Sequence, residues 1–291
     1  MSVPGTIWSK VVLVWALLAT TAQAEVRNIP LVVPFSPGGP TDQIWRSLEP
    51  HVNQELMAHK IKLVTEYRTG AGGLIAANHV ATAPTTTLGI FSIALAVAPV
   101  INPTASRFQP QDLSLVAYVG NIDMVATSNR LRTHAEFRSQ CQARSLSYGS
   151  SGIGSATHLF AVMLLEQSQC KPAVHVPYKG MSQAAIDSKS GQLDFLIEFA
   201  NSVSGTVLDI DLGTMPLENW HVIVANAGAD SQDTALIRRA FDTVKKNPVL
   251  VNDLQHRLNT KNLASVRDSI WLRNQFVSLA RLVRSVDTAQ K

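Results

Sequence analysis

With 25 Lys and Arg against 21 Asp and Glu, the 291-residue chain carries a formal net charge of +4 at pH 7. That excess is too dilute for a nucleic-acid surface, which needs clustered cations; the densest basic stretch, Arg267, Arg273, Arg281 and Arg284, is spread along one expected helix and reads as a solvated face. Neither cysteine has CxxC spacing or a Cys/His cluster at ligand spacing, so no metal or other cofactor is expected.

At the N-terminus one cation, Lys10, precedes the apolar run Val11 to Ala19 and then Thr20-Thr21-Ala22-Gln23-Ala24. These are the parts of a secretory signal peptide over residues 1–24, cleaved after Ala24, which sends the mature chain to the periplasm. An uncleaved anchor is the alternative, but about 14 weakly apolar residues fall short of the ~20 needed to span a bilayer. Cleavage removes one Lys and no acid, leaving 24 basic residues against 21 acidic. The roughly 267 residues that remain exceed one typical domain, so two lobes are expected.

Strand Ile29 to Phe35 opens the first lobe and runs into the turn PFSPGGPTD (Pro34 to Asp42). A helical segment follows from Asp42, with Ile44, Trp45, Leu48, Val52 and Leu56 at helical spacing and Pro50 marking a kink or a break. Next come strand Lys62 to Tyr67, the turn RTGAGGLIAA (Arg68 to Ala77), a helix over Gly73 to Ala83 and strand Leu88 to Ala94. Strand, turn and helix in repetition predict a parallel sheet covered on both faces. Pro99, Pro103 and Pro110 then interrupt the pattern and mark the expected crossing into a second lobe.

That lobe is expected to hold strands Leu113 to Val119 and Met124 to Ser128, a helix over Thr133 to Ala143, and the turn YGSSGIGSATH (Tyr148 to His158) with its helix. The VHVPYKG segment (Val174 to Gly180), a helix over Ser182 to Ser190 and strand Leu193 to Phe199 complete it. Strand Trp220 to Ala225 and helices over Thr234 to Lys246, Pro248 to Leu258 and Val266 to Arg284 return the chain to the first lobe. The expected division is residues 25–101 with 219–291 in one lobe and 102–218 in the other. Cys141 and Cys170 each lie just before an expected strand, at the same end of the sheet if those strands are parallel. A disulfide is then feasible, and two free thiols are the alternative.

Three glycine-rich turns thus sit where a strand hands over to a helix, each presenting backbone N–H groups where the helix dipole is positive, a setting for anions. In the first, Thr41 or Asp42 can cap the helix while the N–H groups of Gly38 and Gly39 point at an anion; a plain tight connection is the other reading. The third adds hydroxyls from Ser150, Ser151, Ser155 and Thr157, suited to a carboxylate but also ordinary in caps. His158 reads as a packed or capping histidine. The serine-hydrolase pattern G-x-S-x-G, the Walker pattern and G-x-G-x-x-G are all missing, so no enzyme is expected.

PFSPGGPTD, the GAGG turn with its Ala-rich helix, LSYGSSGIGSATHL and HVPYKGMSQAAIDSKSGQLDFL together resemble the extracytoplasmic receptors of tripartite tricarboxylate transporters, the Bug proteins. The resemblance runs from about Leu31 to Phe199. It implies an α/β, two-lobed periplasmic-binding-protein fold of the type II, Venus flytrap kind, whose lobes close over a small di- or tricarboxylate and pass it to a membrane permease. The ligand's carboxylates would meet Phe35, Ser36, Gly38, Gly39, Pro40 and Thr41 on one side and Gly149, Ser150, Ser151, Gly152 and Ser155 on the other. Tyr178, Lys179 and Gly180 would lie near the cleft. Glu198-Phe199 stand where the family usually has Asp-Asn, which gives Glu198 a longer reach into the pocket. Leu74 replaces a polar residue after the second turn's glycines, marking that turn as structural. The stretch Ala200 to Asn219 is about 30 residues shorter than in the family. A ligand-sensing role, with a sensor kinase ectodomain as partner, is the alternative function.

Overall fold

The computed structural model describes residues 25–212, 215 and 217–289, with side chains through Arg284. The expected signal peptide, residues 1–24, lies outside the described residues. Among the described residues no helix is long and apolar enough to cross a membrane.

The chain opens with β1 (Arg27–Val33), α1 (Pro40–Met57), β2 (Ile61–Tyr67), α2 (Leu74–Ala81), β3 (Leu88–Ser92), α3 (Ala94–Ile101) and β4 (Leu113–Ile122). It continues with β5 (Met124–Ser128), α4 (His134–Ala143), β6 (Ser147–Ser150), α5 (Ala156–Gln167), β7 (Val174–Pro177), α6 (Met181–Lys189), β8 (Phe195–Phe199) and β9 (Thr206–Val207). The last part is β10 (Trp220–Asn226), α7 (Ser231–Lys245), α8 (Pro248–Arg257), β11 (Thr260–Lys261) and α9 (Ser269–Ala289). One sheet has the order β11-β4-β10-β3-β1-β2 and the other β7-β6-β8-β5-β9, one to each lobe.

The apolar period of α1 buries Ile44, Trp45, Leu48, Val52 and Leu56 against the first sheet. Pro50 does not split this helix: it lies on the exposed face, where water can take the carbonyl that its missing N–H leaves open. Helix starts elsewhere follow side-chain chemistry. Thr133 accepts the Glu136 N–H at 3.1 Å to start α4, Asp230 accepts that of Asp233 at 2.8 Å to start α7, and Asn247 starts α8.

Three expectations are corrected. The sheets are mixed rather than parallel: β1, β2 and β3 run parallel, but β10 returns from the other lobe and enters antiparallel between β3 and β4. The strand at Leu113, expected in the second lobe, pairs with β10 in the first sheet. Its residues are buried almost throughout, which demands a sheet position covered on both faces. The prolines from Pro99 to Pro110 therefore punctuate α3 and a first-lobe loop, and the chain crosses instead at Asp123, between β4 and β5. Finally, the prolines were expected to interrupt the pattern from Pro99 onward, with no helix assigned before them, whereas α3 forms there. Its sequence ALAVAPVI is apolar all round, with Ala94 to Ala98 buried, and Pro99 falls in its last turn.

In the second sheet β6 pairs in parallel with both β7 and β8, while β5 runs antiparallel to β8. With α5 as the crossover between β6 and β7, Cys141 and Cys170 come together in a disulfide. Asp194, buried before β8, fastens this lobe by accepting the Ser147 N–H at 2.8 Å and two guanidinium groups, Arg144 at 2.8 Å and Arg130 at 3.3 Å. Burial raises its pKa, but Arg144 and Ser147 outweigh that and bring it down to about 2.

Candidate binding site

Between the lobes lies a cavity of about 330 Å³. The first lobe contributes Gly38, Gly39 and Pro40; the second contributes Met181, Ser182, Ala185 and Lys189 from α6, Glu198 from β8, and the loop Asn201 to Ser204. Two helix N-termini therefore face one space. The N-cap of α1 is Gly39 and that of α6 is Gly180, and neither helix has a side-chain cap. Helix geometry leaves the first N–H groups of each, Thr41 and Asp42 in α1 and Met181 and Ser182 in α6, without an intrahelical acceptor. The dipoles of both helices present their positive ends to the cavity.

The N–H groups expected to hold an anion are not these. Gly38 donates its N–H to Asp42 Oδ2 at 2.8 Å and Gly39 donates to Ser36 O at 3.2 Å, so both glycine donors are spent in shaping the turn. Asp42 is buried and also accepts the Tyr67 hydroxyl at 2.7 Å, with Arg46 at 3.5 Å. Burial, and then the Asp42 carboxylate, raise the Tyr67 pKa, which keeps that hydroxyl a donor. The remaining first-turn residues divide. Thr41 is buried with its hydroxyl unpartnered, Phe35 packs its ring beside Gly73 of the second turn, and Ser36 meets Lys179 and Gly180 across the lobes.

Opposite them, Glu198 is 2 % exposed and one of its carboxylate oxygens accepts the Thr127 hydroxyl and, at 3.1 Å, the Ser204 N–H. Both polar atoms of the Asn201 amide and the Ser204 hydroxyl are buried without a partner. Unmet polar groups of this kind cost roughly 1–3 kcal/mol each until something bonds them. The sequence reading missed Asn201, Ser202, Ser204, Met181, Ser182 and Lys189. The signal was present in the run FANSVSG directly after Glu198, and in Gly180 as the last residue before α6.

The third turn is not brought to this cavity. Ser150 accepts the Gly152 N–H at 3.1 Å and lies 2.6 Å from His175 Nε2. The Thr157 hydroxyl takes the Ser151 N–H at 3.0 Å and meets the Ser151 and Ser155 hydroxyls at 3.1 Å. Ser155 caps α5 through the His158 N–H at 3.2 Å. The hydroxyls expected to meet a carboxylate are thus engaged within the lobe, by the turn, by the start of α5 and by His175 of β7. The Ser150–His175 pair is no exposed nucleophile, since Ser150 is 0 % exposed. Tyr178, too, is engaged within its lobe, donating its hydroxyl to Asp187 at 2.7 Å, and burial followed by Asp187 raises its pKa to about 12.

What the third turn does touch is the second. Gly72, at φ +64°, lies so close to it that a Cβ would stand 2.2 Å from Ile153 O, and a Cβ on Gly152 would stand 2.9 Å from Gly72 N. Backbone meets backbone there, so the two turns are in contact across the lobes. Among the described residues no group of three or more His, Cys, Asp or Glu is placed to hold a metal ion.

The family profile "Tripartite tricarboxylate transporter family receptor" matches residues 46–214. Protein BugT of Bordetella pertussis is 31% identical over 175 residues, covering 57% of this chain and 52% of that protein. The chain spans about half the length of the first curated relatives it matches, 55% and 52%. Among solved structures, the periplasmic binding protein BugD superposes with a TM-score of 0.79 at 20% identity, covering 90% of this chain and 98% of that one. MatC from Rhodopseudomonas palustris, solved with bound malate, superposes with a TM-score of 0.74 at 20% identity, covering 90% and 99%. At these identities the superpositions establish a shared fold, that of two-lobed periplasmic binding proteins.

Proposed function

The chain belongs to the tripartite tricarboxylate transporter receptor family, and from that premise we propose that it is a periplasmic receptor which captures a small di- or tricarboxylate between its lobes for a membrane permease. One observation carries this reading: two helix N-termini from opposite lobes, neither capped by a side chain, face one cavity of about 330 Å³. That volume lies within the range of small-ligand sites. A carboxylate between α1 and α6 would take backbone N–H groups from both, so the anion gains from closure what neither lobe offers alone. Charge-assisted bonds of this kind hold an acid with few side-chain cations. Glu198, Asn201 and Ser204 would then meet the other end of the ligand. The carboxylate of Glu198 repels a second carboxylate placed against it, whereas the Asn201 amide offers both a donor and an acceptor.

Within this reading the lobes divide at Asp123 and again in the segment before Trp220. Ser36, Gly38, Gly39, Pro40 and Thr41 belong to the ligand jaw of one lobe, and Lys179, Gly180 and Glu198 to that of the other. Gly149, Ser150, Ser151, Gly152 and Ser155 serve as the wall that sets closure, and Phe35 and Tyr178 as packing. The matches are to transport receptors and lend no support to a sensor kinase partner. Malate bound to a protein of the same fold makes dicarboxylates the first compounds to test. At least one of a panel of di- and tricarboxylates should raise the melting temperature in a saturable way; a ligand at a hundred times its Kd adds about 2.7 kcal/mol. A panel without any stabilising member would overturn the assignment.

A further inference from the structure

A larger cavity, about 730 Å³, lies away from the cleft, and its lining shares no residue with the cleft cavity. It opens where α3 and α9 meet α5 and the strands β6 and β7. One side is aliphatic, with Val100, Ile101, Val162 and Val283. The other is the outer end of a row of rings that starts in the core of the second lobe. Phe137 meets Phe195 at 5.2 Å, Phe195 meets Tyr148 at 5.4 Å, and Tyr148 stacks on His175 at 4.8 Å with planes 17° apart. His175 in turn stacks on His158 at 4.4 Å, and both imidazoles line the cavity.

The imidazoles are polar but uncharged at neutral pH. Burial lowers the pKa of each to about 4, with His175 lowering His158 further. His158 Nδ1 accepts the Gly154 N–H at 3.4 Å, which leaves the proton on Nε2. At the rim, Lys171 gives one N–H to Ala143 O at 2.7 Å and retains two further donors. A flat ring entering the cavity extends a stack already built, at the offset spacing that aromatic pairs favour. An aliphatic chain gains only the apolar wall.

We propose that this cavity is a second ligand site, for a planar aromatic carboxylate whose ring stacks on the His158–His175 row and whose carboxylate meets Lys171 at the rim. Since the cavity is walled by helices from both lobes, its occupant would be held at the seam between them. Isothermal titration of 1-naphthoate into the mature protein should show saturable binding, at least tenfold weakened in Val162→Trp, whose indole fills the cavity. In parallel, 1-naphthoate should shift the imidazole resonances of both His158 and His175 in the unaltered protein, a readout that stands even if the tryptophan variant fails to fold. Absence of binding, binding without those shifts, or octanoate binding as tightly as 1-naphthoate would each overturn the proposal.

Discussion

The first and third glycine turns look alike in sequence and behave as opposites in the fold. Each follows a strand, carries glycines and hydroxyls and opens a helix. In the third, Thr157 and Ser155 stand where their hydroxyls take the turn's own N–H and O–H groups, and the loop closes on itself. In the first, Asp42 takes a single glycine N–H, and the start of α1 is left without a side-chain cap beside a cavity. A turn is therefore open to a ligand according to where its own acceptors fall, and not according to how many donors it has. The second turn supplies the contrast's missing half: its Gly72 meets the backbone of the third one at Ile153 and Ser155.

The largest effect that would break this contrast comes from a charge in the first turn. Gly39→Asp should weaken dicarboxylate binding by ~100-fold or more through like-charge repulsion, while the melting temperature holds. Position 39 has φ −72° and ψ 167°, a normal N-cap conformation, and an added Cβ would stand 3.2 Å from Ser36 O, so an aspartate enters with a shift of a few tenths of an ångström and caps α1. Titration calorimetry on the folded variant reads this directly; binding within tenfold of the unaltered protein would place the anion elsewhere.

Next in size is Gly72→Ala. A Cβ at 2.2 Å from Ile153 O, on a residue held at φ +64°, forces the second and third turns apart. Overpacking of this kind costs typically ~1–3 kcal/mol, and because it acts on the contact between turns of the two lobes the affinity for the cleft ligand should fall by about tenfold. Small-angle scattering with saturating ligand should then show a more open molecule than the unaltered protein.

Ser150→Ala sharpens the comparison from the other side. It removes the hydroxyl that joins the Gly152 N–H to His175 and should cost ~1–3 kcal/mol in chemical denaturation. Affinity in the cleft should change by less than about twofold, since by this account the hydroxyl belongs to the turn and not to a ligand. A loss of affinity out of proportion to stability would return the third turn to the site.

The smallest effect near neutral pH concerns the histidines. His158 and His175 have pKa values lowered to about 4, and His221, fully buried against Phe199, to about 3, in each case by burial first. Unfolding lets each return toward 6.5, so the unfolded chain binds more protons below that pH. Stability from these groups is complete above about pH 6.5 and declines as the pH falls toward 4 and 3. Denaturation midpoints across this range should follow that slope, and His158→Gln should flatten it.

Much of the architecture was legible because strands such as Arg27–Val33 and helices such as Pro40–Met57 carry their burial pattern in local sequence. The exceptions have one cause in common. The sheet position of β4, the antiparallel entry of β10 and the helical state of ALAVAPVI are decided by partners more than 100 residues distant or by burial on all sides, which leaves no local period to read. The site divides in the same way. Gly38, Gly39, Pro40 and Glu198 were proposed from motif and position and line the cleft cavity, whereas Asn201 and Ser204 lie in a stretch without strand or helix period. The turn Gly149 to Ser155, which does not line that cavity, shows that a hydroxyl's partner is a matter of geometry that composition does not record.

A crystal structure of the mature protein with bromosuccinate tests the central claim most directly, because anomalous scattering from bromine fixes where the acid lies. The account predicts density between α1 and α6, with carboxylate oxygens about 3 Å from backbone N–H groups at the starts of both helices. Density in the turn Gly149 to Ser155, or contact with only one of the two helices, would contradict it.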